Sequence, residues 1–195
     1  GIMVRQLDAI ALAAEGRGED APTWVMAPMV AREREARWFA DLCRERGLVP
    51  GAMIEVPAAA IMADKIMPHL DFVSIGTNDL TQYTMAADRL SPSLAYLTDP
   101  WQPAVLRLVK ETCRVGKLTD TPVGVCGEAA ADPKLACVLT GLGVTSLSAA
   151  STAVAGVGAQ LADLDLERCQ EVAEAVLNAS GATHAREIAT QMILG

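Results

Sequence analysis

Short, β-rich apolar runs alternate with amphipathic helical stretches along most of this chain, and that serial order limits the fold more than any single motif. The runs are Thr23–Val30, Ala52–Val56, Phe72–Ile75, Pro122–Cys126 and Val144–Leu147. None alternates cleanly between apolar and polar residues, so each reads as a strand buried on both faces, as in a parallel sheet. Between them, Arg32–Arg46 places Trp38, Phe39, Leu42 and Cys43 on one helical face, with Gly47 as its stop. Pro57–Met67 opens on a proline suited to a first helical turn, and Pro103–Lys117 aligns Leu106, Val109 and Cys113. Asp132-Pro133 is a cap-plus-proline start for Lys134–Thr140, and Asp165–Ala179 and Thr183–Leu194 read as two closing helices. Strand–helix–strand repeats of this kind imply an α/β fold with right-handed crossovers and a parallel sheet. The 195 residues suit a compact open sheet and fall short of the roughly 250 of a closed eight-unit barrel.

Charge narrows the partners. Sixteen Lys and Arg stand against 24 Asp and Glu, a net charge of −8 with no basic cluster, so nucleic acid is not an expected partner. No apolar run is long enough to cross a bilayer, and the start, GIMVRQLD, lacks the apolar core of a signal peptide. Five cysteines with no CxxC spacing argue against a disulfide framework or a zinc site and fit a reducing cytoplasm. His69 and His184 have no nucleophile or acid at informative spacing and read as surface or capping residues. Met53, Met62, Met67 and Met85 read as gap-fillers, and Arg32–Arg37 as a solvated helix face. Neither a GxxxxGK[ST] nor a GxGxxG phosphate loop is present.

The strand ends carry the chemistry. The second run ends in Glu55, the third runs into Gly76-Thr77-Asn78-Asp79, the fourth into Cys126-Gly127-Glu128, and the fifth into Ser148 through Ser151. In a parallel sheet these ends lie on one side, so Glu55, Asn78, Asp79, Cys126 and Glu128 converge. Two carboxylates with an amide beside them suit a hard, oxygen-binding cation such as Mg²⁺, its shell completed by water and a substrate's phosphate or carboxylate. A plainer reading fits the same residues: Glu55 pairs with a Lys or Arg, and Asn78-Asp79 serve as turn and cap. Residue types alone do not separate the two. Cys126 differs from Cys43, Cys113, Cys137 and Cys169, which sit in helical patterns, because it follows a strand and is flanked by Gly124 and Gly127. The stretch Thr81–Pro103, rich in Asp, Ser and Pro, is longer than an ordinary connection and belongs to the same side.

The strings MIEVPAAA (Met53–Ala60), SIGTNDLTQY (Ser74–Tyr83), AADR (Ala86–Arg89) and VCGEAAADP (Val125–Pro133) resemble the PEP-binding barrel of the phosphoenolpyruvate-utilising enzymes. Within that family the resemblance is strongest to the enzyme I branch of the bacterial sugar phosphotransferase system, the PEP–protein phosphotransferases. It implies a partial TIM (β/α)8 barrel, roughly strands four to eight with their helices, as a single domain over residues 1–195. It also implies roles: Glu55 and Asp79 as Mg²⁺ ligands, Asn78 as an amide on PEP, and Arg89 as the grip on its phosphoryl group. Cys126 matches the family's general acid, protonating the methylene carbon of enolpyruvate, and Glu128 orients it or relays the proton. The implied reaction transfers phosphate from PEP to an enzyme histidine and on to a phosphocarrier protein, releasing pyruvate, in a homodimeric enzyme. Two departures are mild: Ala131-Asp132 where the family usually has glycine-aspartate, and a last strand, Leu147–Ser151, without its usual methionine. The phosphohistidine domain and the first, arginine-bearing barrel strands are not in the sequence, so the chain alone is expected to be a poor catalyst or inert. The alternatives are a fragment of a pyruvate phosphate dikinase or PEP synthase, and a non-catalytic module that dimerises or senses PEP.

Overall fold

The computed structural model describes residues 1–16 and 21–195. Its elements run α1 (Ile2–Ala14), β1 (Trp24–Ala27), α2 (Glu33–Arg44), β2 (Val49–Ile54), α3 (Pro57–Ile61), α4 (Ala63–Ile66), β3 (Phe72–Gly76) and α5 (Thr77–Thr84). They continue with α6 (Pro103–Thr119), β4 (Val123–Cys126), α7 (Pro133–Leu142), β5 (Ser146–Ser148), α8 (Ser151–Ala162), α9 (Leu166–Leu177) and α10 (Ala182–Leu194). The helix expected before Thr23 is α1; residues 17–20 lie outside the described residues.

The five strands pair in parallel in the sequential order β1-β2-β3-β4-β5. Sequential parallel order with crossovers of one hand puts the helices on one side, which is the wall of a (β/α)8 barrel rather than a doubly wound sheet. The chain is therefore an arc of such a barrel.

The register explains why the strands show no clear alternation in sequence. One set of paired rows, Ala27–Ala52–Val73–Val123 and Ile54–Ile75–Val125–Leu147, faces the helices and forms the core with Phe39, Leu106 and Leu139. The opposite rows, Met26–Gly51–Phe72, Met53–Ser74–Gly124–Ser146 and Gly76–Cys126–Ser148, line the other face. That face is partly open: Trp24 and Met26 are exposed, as are Ser146 and Ser148. The expectation of strands buried on both faces is thus corrected. Glycine, serine, methionine and phenylalanine on the second face carry no polar period, so the sequence hides the alternation. Trp24 and Phe72 meet over Gly51, with ring centroids 4.7 Å apart.

The helices form for local reasons. Asp132 caps α7 by accepting from the backbone N–H groups of Lys134 and Leu135, and Asp165 caps α9 through Arg168. In α2 the buried face is Ala36, Phe39, Ala40 and Cys43, and Trp38 points outward. Small alanines let this helix approach the sheet closely, which a reading weighted toward bulky residues missed. The expected helix Pro57–Met67 breaks at Met62, which is itself exposed, while Met67 fills the core as expected. His69 pairs with Glu33, and His184 accepts the backbone N–H of Ser180 ahead of α10, as surface and capping residues.

Candidate active site at the strand ends

Glu55 is the residue after β2, and it is 4% exposed. Its Oε1 accepts the backbone N–H of Met29 at 2.7 Å. Met29 reaches it by adopting a left-handed backbone, φ 57°, a conformation that costs a side-chain-bearing residue about 1–3 kcal/mol. Pro28 and Met29 therefore end β1 at Ala27, three residues before the end expected from sequence. Among the described residues Glu55 makes no salt bridge. A buried carboxylate without a counter-charge is costly unless a cation completes it.

Its second oxygen lies beside the bare Cα of Gly76. A Cβ built there would stand 2.6 Å from Oε2 and 2.9 Å from Met53 Cε, so only glycine leaves room for this carboxylate. Gly76 ends β3, and α5 begins at once with Thr77, Asn78 and Asp79 as its first turn. The helix thus opens two residues before Asp79, leaving the N–H groups of its first turn without helical partners next to the end of β3. Asp79 is half-buried in that turn, with no side-chain hydrogen bond among the described residues. Asn78 lies against the next strand end, its Oδ1 3.4 Å from where a Cβ of Gly127 would stand.

Cys126 ends β4 level with Gly76 and Ser148. Its thiol donates toward the carbonyl of Ile75 at 3.5 Å, and its own carbonyl accepts the Thr77 hydroxyl at 3.1 Å. Thr77, unassigned by sequence reasoning, thereby locks the start of α5 to the end of β4. The other four cysteines are buried, and burial pushes the thiols of Cys43, Cys113 and Cys137 up to about 11, 12 and 11 and that of Cys169 upward. Cys126 is the half-buried one, on the open face.

Two candidates stand apart. Gly127 turns with φ 92° into a 3-10 turn, Glu128–Ala131, so the strand stops and the two-residue period expected to bring Glu128 alongside Cys126 does not apply. Glu128 is exposed. Arg89 is exposed on the α5–α6 connection, its backbone N–H held by Gln82 Oε1 at 3.1 Å, with no ion pair among the described residues.

The strand ends form an open shelf, and cavities of about 460 and 720 Å³ lie elsewhere, against the start of β4 and between α3, α5 and α6. Among the described residues no cluster of three or more His, Cys, Asp or Glu surrounds one point. Glu55 and Asp79 are the two hard carboxylates at these strand ends, the residue type that suits a cation such as Mg²⁺.

Comparison with known families decides the assignment. The family described as PEP-utilising enzyme, PEP-binding domain, matches residues 1–166. The chain belongs to the PEP-utilising enzymes. It is 48% identical to a phosphoenolpyruvate-protein phosphotransferase of Streptomyces coelicolor, a match covering all of this chain and 35% of that protein. It is 42% identical to a phosphoenolpyruvate-protein phosphotransferase of Haloferax volcanii, over 96% of this chain and 34% of that protein. A probable phosphoenolpyruvate synthase of Pyrococcus horikoshii is 47% identical over 67% of this chain and 17% of its own length. This PEP-utilising chain thus spans about a third of the length of the phosphotransferases it matches. A citrate lyase structure from Burkholderia xenovorans aligns with a TM-score of 0.60 over 98% of this chain and 67% of its own, at 15% identity, a likeness of fold alone. No helix among the described residues is long and apolar enough to cross a membrane.

Proposed function

We propose that this chain supplies the metal-holding and proton-donating side of the PEP site in a PEP–protein phosphotransferase. The observation that carries the reading is Glu55, a 4%-exposed carboxylate with no salt bridge among the described residues, fitted against the bare Cα of Gly76. Glu55 and Asp79 would hold Mg²⁺, which when bound offsets negative charge on the phosphate and carboxylate oxygens of PEP. The N–H groups of the first turn of α5 face the same anion, and Asn78 offers it an amide. Arg89 grips the phosphoryl group through its planar fork, which requires the exposed connection to fold over the shelf.

In the reaction the phosphoryl P–O bond of PEP breaks and the phosphoryl group passes to an enzyme histidine. The enolate of pyruvate remains, and the Cys126 S–H gives its proton to the methylene carbon, leaving a thiolate that water reprotonates. His69, bonded to Glu33, and His184, bonded to Ser180, are both off the shelf. Net transfer is therefore not expected from these residues by themselves. The phosphotransferase reading is preferred over a PEP synthase because matches to phosphotransferases cover 79–100% of this chain, against 67% for the synthase. A phosphocarrier acceptor, a homodimer and a cytoplasmic location, consistent with five free thiols, complete the proposal.

Calorimetric titration of PEP with Mg²⁺ tests it. Glu55→Gln and Asp79→Asn are expected to abolish the Mg²⁺-dependent part of binding, and Cys126→Ala to leave it intact. Unchanged binding in Glu55→Gln, or equal binding with and without Mg²⁺, would sink the assignment.

A further inference from the structure

Four side chains from three stretches meet: Asp99 and Trp101 of the α5–α6 connection, Asp132 ahead of α7, and Arg186 of α10. Trp101, at the end of the α5–α6 connection, is fully buried, and its indole N–H donates to Asp132 Oδ2 at 2.9 Å. The other oxygen of Asp132 accepts the N–H groups of Lys134 and Leu135 at 3.0 and 3.2 Å, so one carboxylate both caps α7 and receives the indole. Arg186 of α10 lies over the Trp101 ring, 5.4 Å from its centroid. Its Nη2 holds both oxygens of Asp99 at 3.1 and 3.0 Å, and Asp99 Oδ1 also accepts the backbone N–H of Trp101.

Two of these contacts bear on the site. Asp132 closes the turn that begins at Gly127, donating its N–H to Ala129, and that turn sets Glu128 one residue beyond Cys126's neighbour Gly127. The connection 85–102 carries Arg89 and is largely exposed between two anchors. The upstream anchor is Gln82 on the N–H of Arg89; the downstream anchor is the Asp99–Trp101 pair. Simple packing of a tryptophan would need neither an acceptor shared with a helix cap nor a cation stacked on its ring.

We propose that Trp101 and Asp132 are positioning residues of the PEP site: their indole–carboxylate bond fixes the Arg89-bearing connection relative to the Cys126–Glu128 turn, and Arg186 stiffens it from α10. The ligand part of this inference rests on the function proposed above; the mechanical part does not. Arg186 also lies beyond the residues the family match covers, which gives this chain's last helix a role in the site.

Two variants separate the bond from the fold. In Asp132→Asn the amide oxygen can still cap α7, which turns the NH₂ toward the indole N–H, donor against donor. In Trp101→Phe the donor is lost and an aromatic ring is kept. Hydrogen exchange of the intact chain is read over 86–99 and 127–131, and affinity is read for PEP and for oxalate, each with Mg²⁺. Oxalate mimics enolpyruvate and has no phosphoryl group for Arg89. Both segments are expected to exchange about tenfold faster in either variant, with PEP affinity falling about tenfold, oxalate holding within about twofold, and the double variant no weaker than the weaker single. Arg186→Gln, on an exposed side chain, is expected to give the same pattern at about threefold. Unchanged exchange in both segments, equal loss of PEP and oxalate, or additive losses would overturn the proposal. If the wild type binds no PEP, the functional reading fails, and the exchange result alone upholds or overturns the clamp.

Discussion

Glu55 and Arg89 are both charged residues assigned to one ligand, and the fold treats them in opposite ways. Glu55 is held by a strained neighbour's N–H, walled by Gly76 and hidden from water. Arg89 stands in solvent on a long connection, its backbone N–H held by the Gln82 side chain. The shelf at the ends of β2, β3 and β4 is built into the sheet register, whereas the connection is held at its two ends and, between them, by local turns and the Gln102 side chain on the carbonyl of Tyr96. If the proposed roles hold, a site divided in this way can keep its metal ligands rigid while its phosphate grip opens and closes.

The division can be broken most severely at Gly76. Gly76→Ala places a Cβ 2.6 Å from Glu55 Oε2, so the carboxylate must leave its position. Mg²⁺-dependent PEP affinity is expected to fall by about two orders of magnitude, with about 1–3 kcal/mol lost in a denaturant titration. Arg89→Gln sharpens the contrast from the other side. Its side chain is exposed and unpaired among the described residues, so stability should stay within about 0.5 kcal/mol while PEP affinity falls about tenfold or more. Thr77→Val removes the hydroxyl bond to the Cys126 carbonyl. It is expected to cost about 1 kcal/mol in the same titration, and to disturb the shelf without touching the connection.

The smallest effect at neutral pH should spare both regions. Burial raises the thiols of Cys43, Cys113 and Cys137 from 9.0 to about 11, 12 and 11. A thiol whose folded pKa lies above its unfolded value leaves stability unchanged below about pH 9 and erodes it as the pH climbs toward 11 to 12. Unfolding midpoints are therefore expected to be level with respect to these groups up to pH 9 and to fall above it.

Much of this arrangement is legible in the residues. The strand ends at Glu55, Gly76 and Cys126 fall where the apolar runs place them, because a parallel sheet forces all three onto one side. The partial barrel follows from serial order together with the resemblance of SIGTNDLTQY and its companion strings. What escapes is what depends on contacts distant in sequence. Met29 reads as the continuation of a strand, yet it turns left-handed to reach a carboxylate 26 residues on. Helix α8 has no sequence signal, since Ser151–Ala162 is mostly small residues with little polar contrast between faces. Trp101 and Asp132, 31 residues apart, become partners only when β4 lies beside β3 and brings its following turn toward the connection.

The strand-end shelf is proposed to hold a proton donor aimed at the methylene carbon of enolpyruvate, and exchange of pyruvate's methyl protons for deuterium reads that donor without any other step. The exchange, followed by proton NMR in D₂O with Mg²⁺, runs that protonation in reverse and needs no phosphoryl acceptor. Exchange by the wild-type chain is expected above the Mg²⁺-only background, with a loss of about a hundredfold or more in Cys126→Ala. Equal exchange in the two proteins would contradict it.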